Sequence, residues 1–168
     1  MRIFLAIDVP LRSIPRLSDS GLSYVSHYHI TLAFFGDISP ADLLLIREKL
    51  SIFRADSFTL KTKDQFDCFI RWDKLQTVFV PFEYSKQLNQ LYLKLAYLFR
   101  GSFEFGKEFA PHATIARVKR ELDEGSVLAL QQTRFEPTSF SVSKLVLYES
   151  VLKPTGAEYR VVGTYALS

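Results

Sequence analysis

A His-x-Thr pattern occurs twice in this chain, and it constrains the fold more than any other feature. The first copy opens residues 29–32 (HITL) and the second opens residues 112–115 (HATI). Side chains at positions i and i+2 of a β-strand point to the same face. If each copy lies on a strand, its histidine and threonine share one face. Ile30, Leu32 and Phe34 are then expected to face a core.

The composition is that of a compact, mildly basic protein. The 168 residues are 48% apolar, which allows a sizeable core in one domain spanning residues 1–168, and the net charge is +3. A small positive charge is compatible with an anionic ligand but does not require nucleic acid. Cys68 is the single cysteine, so a reducing cytoplasm is the simplest setting. We expect neither a signal peptide nor a membrane span, since no segment approaches ~18 apolar residues.

Periodicity and capping signals predict alternating strands and helices along the whole chain. Ser39-Pro40 is typical of a helix N-cap followed by proline in the first turn, and it begins a predicted helix that ends near Ile52. Two more helices are predicted, over residues 84–99 and 121–131. The predicted strands cover residues 2–8, 27–35, 57–63, 65–71, 75–82, 111–118, 135–142, 144–149 and 159–167.

The two motifs head two similar halves of the chain. Each motif strand is followed by a predicted helix and three predicted strands. Residues 58–60 and 140–142 begin 29 and 28 residues after the motif histidines, and residues 77–80 match residues 161–164 in the same way. Residues 10–26 are rich in Ser, Pro and Gly and are predicted to be mostly loop. The first half therefore lacks a helix that the second half has room for, and one side of its sheet is expected to be less covered.

Two such histidine–threonine pairs could cleave a phosphate ester held between them. An attacking water needs a general base and a departing alkoxide needs a general acid, and histidine serves either role near neutral pH. His29 and His112 supply one such group on each flank. Thr31 and Thr114 can donate hydrogen bonds to phosphate oxygens. Arg117 would face away from His112 in a regular strand, so it reaches the pocket only if the strand bulges or ends before it.

Four sequence blocks carry a resemblance to a known superfamily. They are residues 2–8 (RIFLAID), 29–36 (HITLAFFG), 109–118 (FAPHATIARV) and 145–150 (LVLYES). With these blocks the chain resembles the two-histidine phosphoesterase superfamily, and within it the 2′-5′ RNA ligase-like RNA 2′,3′-cyclic phosphodiesterases of bacteria and archaea. The resemblance implies a bilobal, pseudo-twofold α+β fold, with two antiparallel sheets flanking a central cleft and the helices outside.

The resemblance also implies an activity and the residues that perform it. The expected reaction opens a 2′,3′-cyclic phosphate at RNA ends or nucleotides to a 2′-phosphate, without metal or cofactor, and some relatives also join or cleave 2′-5′ linkages. His29 would protonate the leaving 3′-oxygen, and His112 would activate the water. The residues expected to contact substrate are Thr31, Thr114, Arg117 and Tyr148. Lys107 stands where the family often has arginine, so phosphate contact from that loop is expected to be weaker. We expect a monomer.

Two other functions stay open at this point. His27, His29 and His112 could form a three-imidazole site for a metal such as zinc, which would leave both threonines without a role. The chain could instead be a non-catalytic module that binds RNA ends or nucleotides. In the phosphodiesterase interpretation His27 is a strand-end residue and should tolerate substitution.

Overall fold

The computed structural model describes residues 1–106 and 108–168, and the expectation for Lys107 lies outside these residues. Within them the chain forms ten strands and three α-helices. The strands are β1 (Arg2–Asp8), β2 (Leu22–Tyr24), β3 (His29–Asp37), β4 (Phe58–Lys61), β5 (Asp67–Arg71), β6 (Lys74–Pro81), β7 (His112–Val118), β8 (Ser139–Val142), β9 (Lys144–Lys153) and β10 (Gly156–Ala166). The helices are α1 (Pro40–Ile52), α2 (Lys86–Leu98) and α3 (Glu124–Gln132).

Two four-stranded antiparallel sheets carry the two motifs. The first sheet has the strand order β10-β9-β1-β3, and the second has the order β2-β7-β6-β5. The strands β4 and β8, one from each half, pair as a separate two-stranded sheet. The motif strands β3 and β7 contact each other where the two large sheets meet. The predicted α+β fold of antiparallel sheets is confirmed, and so is the placement of both motifs on strands.

Local signals explain where α1 begins. The Ser39 hydroxyl accepts a hydrogen bond from the Asp42 backbone N–H at 3.1 Å, and the Asp42 carboxylate accepts one from the Ser39 N–H at 3.2 Å. This reciprocal pair is a capping box, and Pro40 occupies the first turn, where its missing N–H leaves no hydrogen bond unmade. Ile46 and Leu50 then bury one face of the helix.

The internal repeat is confirmed in the order of its elements but not in the place of every strand. The series β3-α1-β4-β5-β6 and β7-α3-β8-β9-β10 follow the same order. However, β6 lies beside β7, whereas β10 lies at the outer edge of its sheet beside β9. Residues 77–80 and 161–164 are therefore not equivalent in space. Sheet position instead relates β1 to β6, since each lies next to its motif strand.

The connection before the motif strand differs most between the halves. α2 joins β6 to β7, whereas residues 10–21, all of which the structure describes, contain no helix. The lack of a helix there was predictable from composition, but β2 was not. This short strand pairs with residues 116–118 of β7, in the sheet of the other half.

One hydrophobic cluster includes residues from both large sheets and from the three helices named above. Ile30 of β3, Ile115 of β7 and Leu95 of α2 are fully buried members of it. Burying a side chain of this size contributes roughly 1.5–3 kcal/mol, so packing in a shared cluster holds the two halves together. No helix in the described part of the chain has the length and hydropathy needed to cross a membrane.

Substituting Ser39 with alanine tests the capping box. The Asp42 N–H would lose its acceptor, so Ser39→Ala should lower the free energy of unfolding by about 1 kcal/mol. Urea denaturation followed by circular dichroism measures this change. Ser18→Ala, at an exposed loop position, is the control and should change the free energy by less than about 0.5 kcal/mol. Equal losses in the two variants would contradict the role of Ser39 as the cap.

Candidate active site

Both motifs line one cleft between the two large sheets. The cavity there has a volume of about 950 Å³. Five of the six predicted site residues are on its walls: His29, Thr31, His112, Thr114 and Arg117. The alternation of side chains along β3 and β7 thus brings two imidazoles and two hydroxyls into one cavity.

Each motif strand departs from regular alternation at the same distance from its histidine. The pairing of β3 with β1 and that of β7 with β6 both shift directly after the motif threonine. Two successive residues are buried there, residues 32–33 in β3 and residues 115–116 in β7. A bulge of this kind re-aims the next side chain, so Arg117 reaches the cleft. Phe34 does so as well and is 71% exposed, so the prediction that it faces the core is wrong.

His29 lies in a half-buried setting of aromatic rings and a second imidazole. Its Nδ1 is 3.1 Å from Nδ1 of His27, and the rings of Phe4 and Tyr159 lie at centroid separations of 5.2 and 5.5 Å. Burial, together with the nearby His27, lowers the pKa of His29 to about 4. The imidazole of His29 is therefore neutral in the free protein at pH 7.

His112 has a different set of neighbours. Its Nδ1 is 2.8 Å from the carbonyl oxygen of Ala110. A carbonyl can only accept, so the hydrogen-bond pattern assigns a proton to Nδ1 of His112 and leaves Nε2 for the cleft. The rings of Phe69 and Phe79 lie at centroid separations of 4.8 and 5.2 Å from the imidazole. Each motif histidine is thus held against two aromatic rings.

The hydroxyls and the positive charges of the cleft suit an anion. Thr31 and Thr114 share a strand face with their histidines, and Arg2 and Arg117 add two guanidinium groups to the walls. Hydroxyl and guanidinium donors match the oxygens of a phosphate group. Two glutamates of the loop between α2 and β7 line the same cavity, so the positive charge is partly offset.

Tyr148 lies beside the site, opposite Phe4 on the neighbouring strand, and is not among the residues that line this cavity. It is only 5% exposed, and its hydroxyl donates a hydrogen bond to Oδ1 of Asp8 at 2.7 Å. Burial and this hydrogen bond raise the pKa of Tyr148, so the hydroxyl remains a donor. In the structure the Tyr148 hydroxyl contacts Asp8, and the substrate contact expected of Tyr148 stays a prediction.

Asp8 and His27 belong to the site, although the phosphodiesterase interpretation of the sequence gave neither a role. The ring of His27 has a partner at both nitrogens: Nε2 lies 3.1 Å from Oδ1 of Asp8, and Nδ1 lies 3.1 Å from Nδ1 of His29. This geometry does not support the expectation that His27 tolerates substitution. The i, i+2 spacing of His27 and His29 was a usable signal, whereas nothing in the sequence links Asp8 to a histidine 19 residues later.

The geometry does not support the three-imidazole metal site. His27 faces Asp8 with one ring nitrogen and His29 with the other, so it has no free nitrogen to share with His112. Among residues 1–106 and 108–168, no group of three or more His, Cys, Asp or Glu side chains is arranged to hold a metal ion.

The chain is similar to known proteins over nearly its whole length. The family model of the 2′-5′ RNA ligase superfamily matches residues 6–153. An RNA 2′,3′-cyclic phosphodiesterase of Thermotoga maritima is 32% identical over 178 residues, which cover 96% of this chain and 93% of that protein. The chain belongs to the 2′-5′ RNA ligase superfamily, as the resemblance of its sequence blocks predicted.

Solved structures share the fold at lower sequence identity. The protein TT0787 of Thermus thermophilus superposes with a TM-score of 0.77 at 21% identity, covering 99% of this chain and 97% of that chain. LigT of E. coli, in complex with 3′-AMP, superposes with a TM-score of 0.74 at 24% identity, covering 99% and 98%. Both similarities support the duplicated α+β fold described above.

The titration of His29 can be measured directly. Because burial disfavours its charged form, the His29 imidazole should take up a proton near pH 4 and not near the ordinary value of 6.5. Imidazole NMR spectra recorded over a pH series give the midpoint, and His29→Asn assigns the signal. Inorganic phosphate should move the midpoint upward, since a nearby anion stabilises the imidazolium. A midpoint near 6.5 without phosphate would contradict the buried setting.

Proposed function

We propose that this protein hydrolyses the 2′,3′-cyclic phosphate of RNA ends or nucleotides to a 2′-phosphate. The observation that carries the proposal is that two His-x-Thr pairs, from two different sheets, line one cleft. Membership of the 2′-5′ RNA ligase superfamily supports the same chemistry, as does the name of the Thermotoga maritima relative. LigT of E. coli shares the fold and was solved with 3′-AMP, and we expect a nucleotide to enter the corresponding cleft here.

The proposed reaction removes one proton and supplies another. The oxygen of a water attacks phosphorus, and the bond from phosphorus to the 3′-oxygen breaks. His112 takes the proton of the water at Nε2, and His29 gives a proton to the departing 3′-oxygen. The products are a 2′-phosphate and a free 3′-hydroxyl. Solvent then takes the proton from His112 and restores the proton of His29 for the next turnover.

The other polar groups of the cleft would hold the charge of the phosphate. Thr31 and Thr114 would donate hydrogen bonds to non-bridging oxygens from opposite sides, and Arg117 would add a charge-assisted contact. These donors are fixed on strands, so they need little rearrangement as charge develops in the transition state.

A general acid must carry a proton while the substrate is bound. In the free protein the pKa of His29 is about 4, which disfavours the protonated form. A phosphate anion next to the ring stabilises the imidazolium and raises this pKa. Substrate binding and protonation of His29 are therefore coupled, and the imidazole takes up its proton as the anion binds.

The proposed setting follows from the chemistry of the chain. Imidazole, hydroxyl and guanidinium groups bind phosphate directly, so we propose that the enzyme needs neither metal nor cofactor.

We also propose that the protein acts as a monomer in the cytoplasm. The lone Cys68 suits this reducing compartment. A ribose hydroxyl in place of the water would form a 2′-5′ linkage, and we propose this ligation as a secondary activity.

Loss of either motif histidine should remove most of the turnover. His29→Ala and His112→Ala should each lower kcat for a 2′,3′-cyclic nucleotide by roughly 10²–10⁴-fold, the usual effect of losing a general acid or base. The assay contains excess EDTA, and ³¹P NMR reads the position of the phosphate in the product. Thr59→Ala, at an exposed position of β4, is the control and should keep the wild-type rate. Full activity in either histidine variant would contradict the proposal.

A substrate with sulfur in place of the 3′-oxygen separates the two histidine roles in the same variants. A thiolate leaves without being protonated, so this substrate needs no general acid. His29→Ala should then lose less than about tenfold in kcat, while His112→Ala should lose as much as with the oxygen substrate. The reverse pattern would exchange the roles of the two histidines.

Arg117→Ala should weaken substrate binding. The cleft would lose a charge-assisted contact to phosphate, worth about 1.5–3 kcal/mol, so KM should rise roughly ten- to a hundredfold. Arg120→Ala is the matched control, because this nearby arginine lines a different cavity, and its KM should stay at the wild-type value. Steady-state kinetics with a cyclic nucleotide measure both, and an unchanged KM in Arg117→Ala would exclude the contact.

A further inference from the structure

Four side chains, those of Tyr148, Asp8, His27 and His29, form a continuous hydrogen-bonded series beside the cleft. The Tyr148 hydroxyl donates to Oδ1 of Asp8 at 2.7 Å, and the same oxygen lies 3.1 Å from Nε2 of His27. The other ring nitrogen of His27, Nδ1, lies 3.1 Å from Nδ1 of His29. His29 lines the cleft. The four residues come from β1, β3, β9 and the segment just before β3.

For a neutral His27, the position of every proton in this series follows from the charge of Asp8. Partial burial acts to raise the pKa of Asp8, but the hydrogen bonds from His27 and Tyr148 leave it below the ordinary value, so Asp8 is a carboxylate and can only accept. Nε2 of His27 must then carry a proton and donate it. In a neutral His27 the opposite nitrogen, Nδ1, has a lone pair and accepts. The remaining donor is Nδ1–H of His29.

The orientation of the two rings fits such a bond. The imidazole planes of His27 and His29 differ by 24°, and their centroids are 5.0 Å apart. The two Nδ1 atoms approach each other to 3.1 Å, which is hydrogen-bond distance. One ring can therefore donate its N–H to the nitrogen lone pair of the other.

We propose that His27, held by Asp8 and Tyr148, is a positioning residue that keeps His29 protonated at Nδ1 and leaves Nε2 of His29 to exchange protons in the cleft. The inference rests on the proposed function, in which His29 is a catalytic residue. It holds whether His29 acts as acid or base, because Nδ1–H stays in place and only Nε2 gains or loses a proton. Asp8 also stabilises the imidazolium of His29 through space.

The second motif achieves the same tautomer by a simpler contact. Nδ1 of His112 donates to the carbonyl of Ala110, which lies two residues before it. His27 also lies two residues before His29, and a backbone hydrogen bond with His27 favours the charged form of His29. In the first half the side chain of His27 is the acceptor at Nδ1 of His29, and Asp8 fixes the direction in which that side chain accepts.

Three variants of His27 separate its role as a hydrogen-bond acceptor for His29 from the space that its side chain fills. The amide oxygen of asparagine lies about where Nδ1 of histidine lies, so His27→Asn can still accept from His29. The amide of glutamine lies about where Nε2 lies, so His27→Gln can reach Asp8 but presents no acceptor to His29. His27→Phe keeps a ring and has neither nitrogen.

Kinetics with a 2′,3′-cyclic nucleotide give the first readout. His27→Phe and His27→Gln should lower kcat about ten- to a hundredfold, the scale of one hydrogen bond to a charged group. KM should change little, because the threonines and Arg117 are untouched. His27→Asn should retain most of the wild-type kcat. Equal kcat values in the Asn and Gln variants, or a wild-type kcat in His27→Phe, would overturn the proposal.

Imidazole ¹⁵N NMR of the wild-type protein gives a second readout that does not depend on activity. At pH 7 the spectrum should show His29 with its proton on Nδ1, and His27→Phe should lose part of that preference. A wild-type His29 protonated at Nε2 would overturn the proposal even if the enzyme is active. Conversely, an Nδ1–H tautomer in a protein that hydrolyses no cyclic phosphate would refute the proposed function and leave the hydrogen-bonded series intact.

Discussion

The pleat of two extended strands is the constraint on which the rest of the site depends. Successive side chains of β3 and β7 alternate between the core and the cleft, so an apolar residue between histidine and threonine anchors each pair. Ile30 and Ala113 fill that place and are fully buried. The position of each imidazole is thus fixed by the packing beneath it.

The register shift after each threonine turns one further side chain of each motif strand toward the cleft. A regular strand would have buried the fifth residue after the histidine, but the shift buries two neighbours in succession and turns that residue outward. In one half the residue is Phe34 and in the other it is Arg117. The same backbone irregularity therefore gives a symmetric cleft two chemically different walls, one aromatic and one cationic.

Sequence reasoning predicted the parts of the structure that local signals determine. Ser39 and Pro40 mark the start of α1, and the i, i+2 spacing within each motif identifies the cleft face of its strand. The register shifts escaped prediction because they depend on the partner strand and not on β3 or β7 alone. Phe34 was misplaced for that reason, and Arg117 could be assigned to the cleft only conditionally.

The hydrogen-bonded series next to His29 could not be predicted from the sequence. Tyr148 and Asp8 are separated by 140 residues, and only the pairing of β1 with both β3 and β9 brings them together. A tyrosine in the late strand is equally compatible with a cleft wall and with the space behind it. The strand pairing puts Tyr148 on the same face as His29, since Tyr148 lies opposite Phe4, which lines the cleft and packs on both Tyr148 and His29.

The segment before β3, which lacks a helix, also helps to hold the two motif strands together. Its strand β2 crosses to the second sheet, where Ser23 pairs with Arg117, and the Val25 N–H donates to the Ile115 carbonyl at 2.9 Å. Only a few residues separate this contact from His29 in sequence. The chain that carries the first motif is therefore hydrogen-bonded to the strand that carries the second, directly beside the cleft. Rigid attachment of this kind resists separation of the two sheets, and it keeps the two histidine–threonine pairs within reach of one phosphate. A helix in the same connection would cover more of the first sheet, but the strand covers the edge of β7 and so protects it from unwanted pairing.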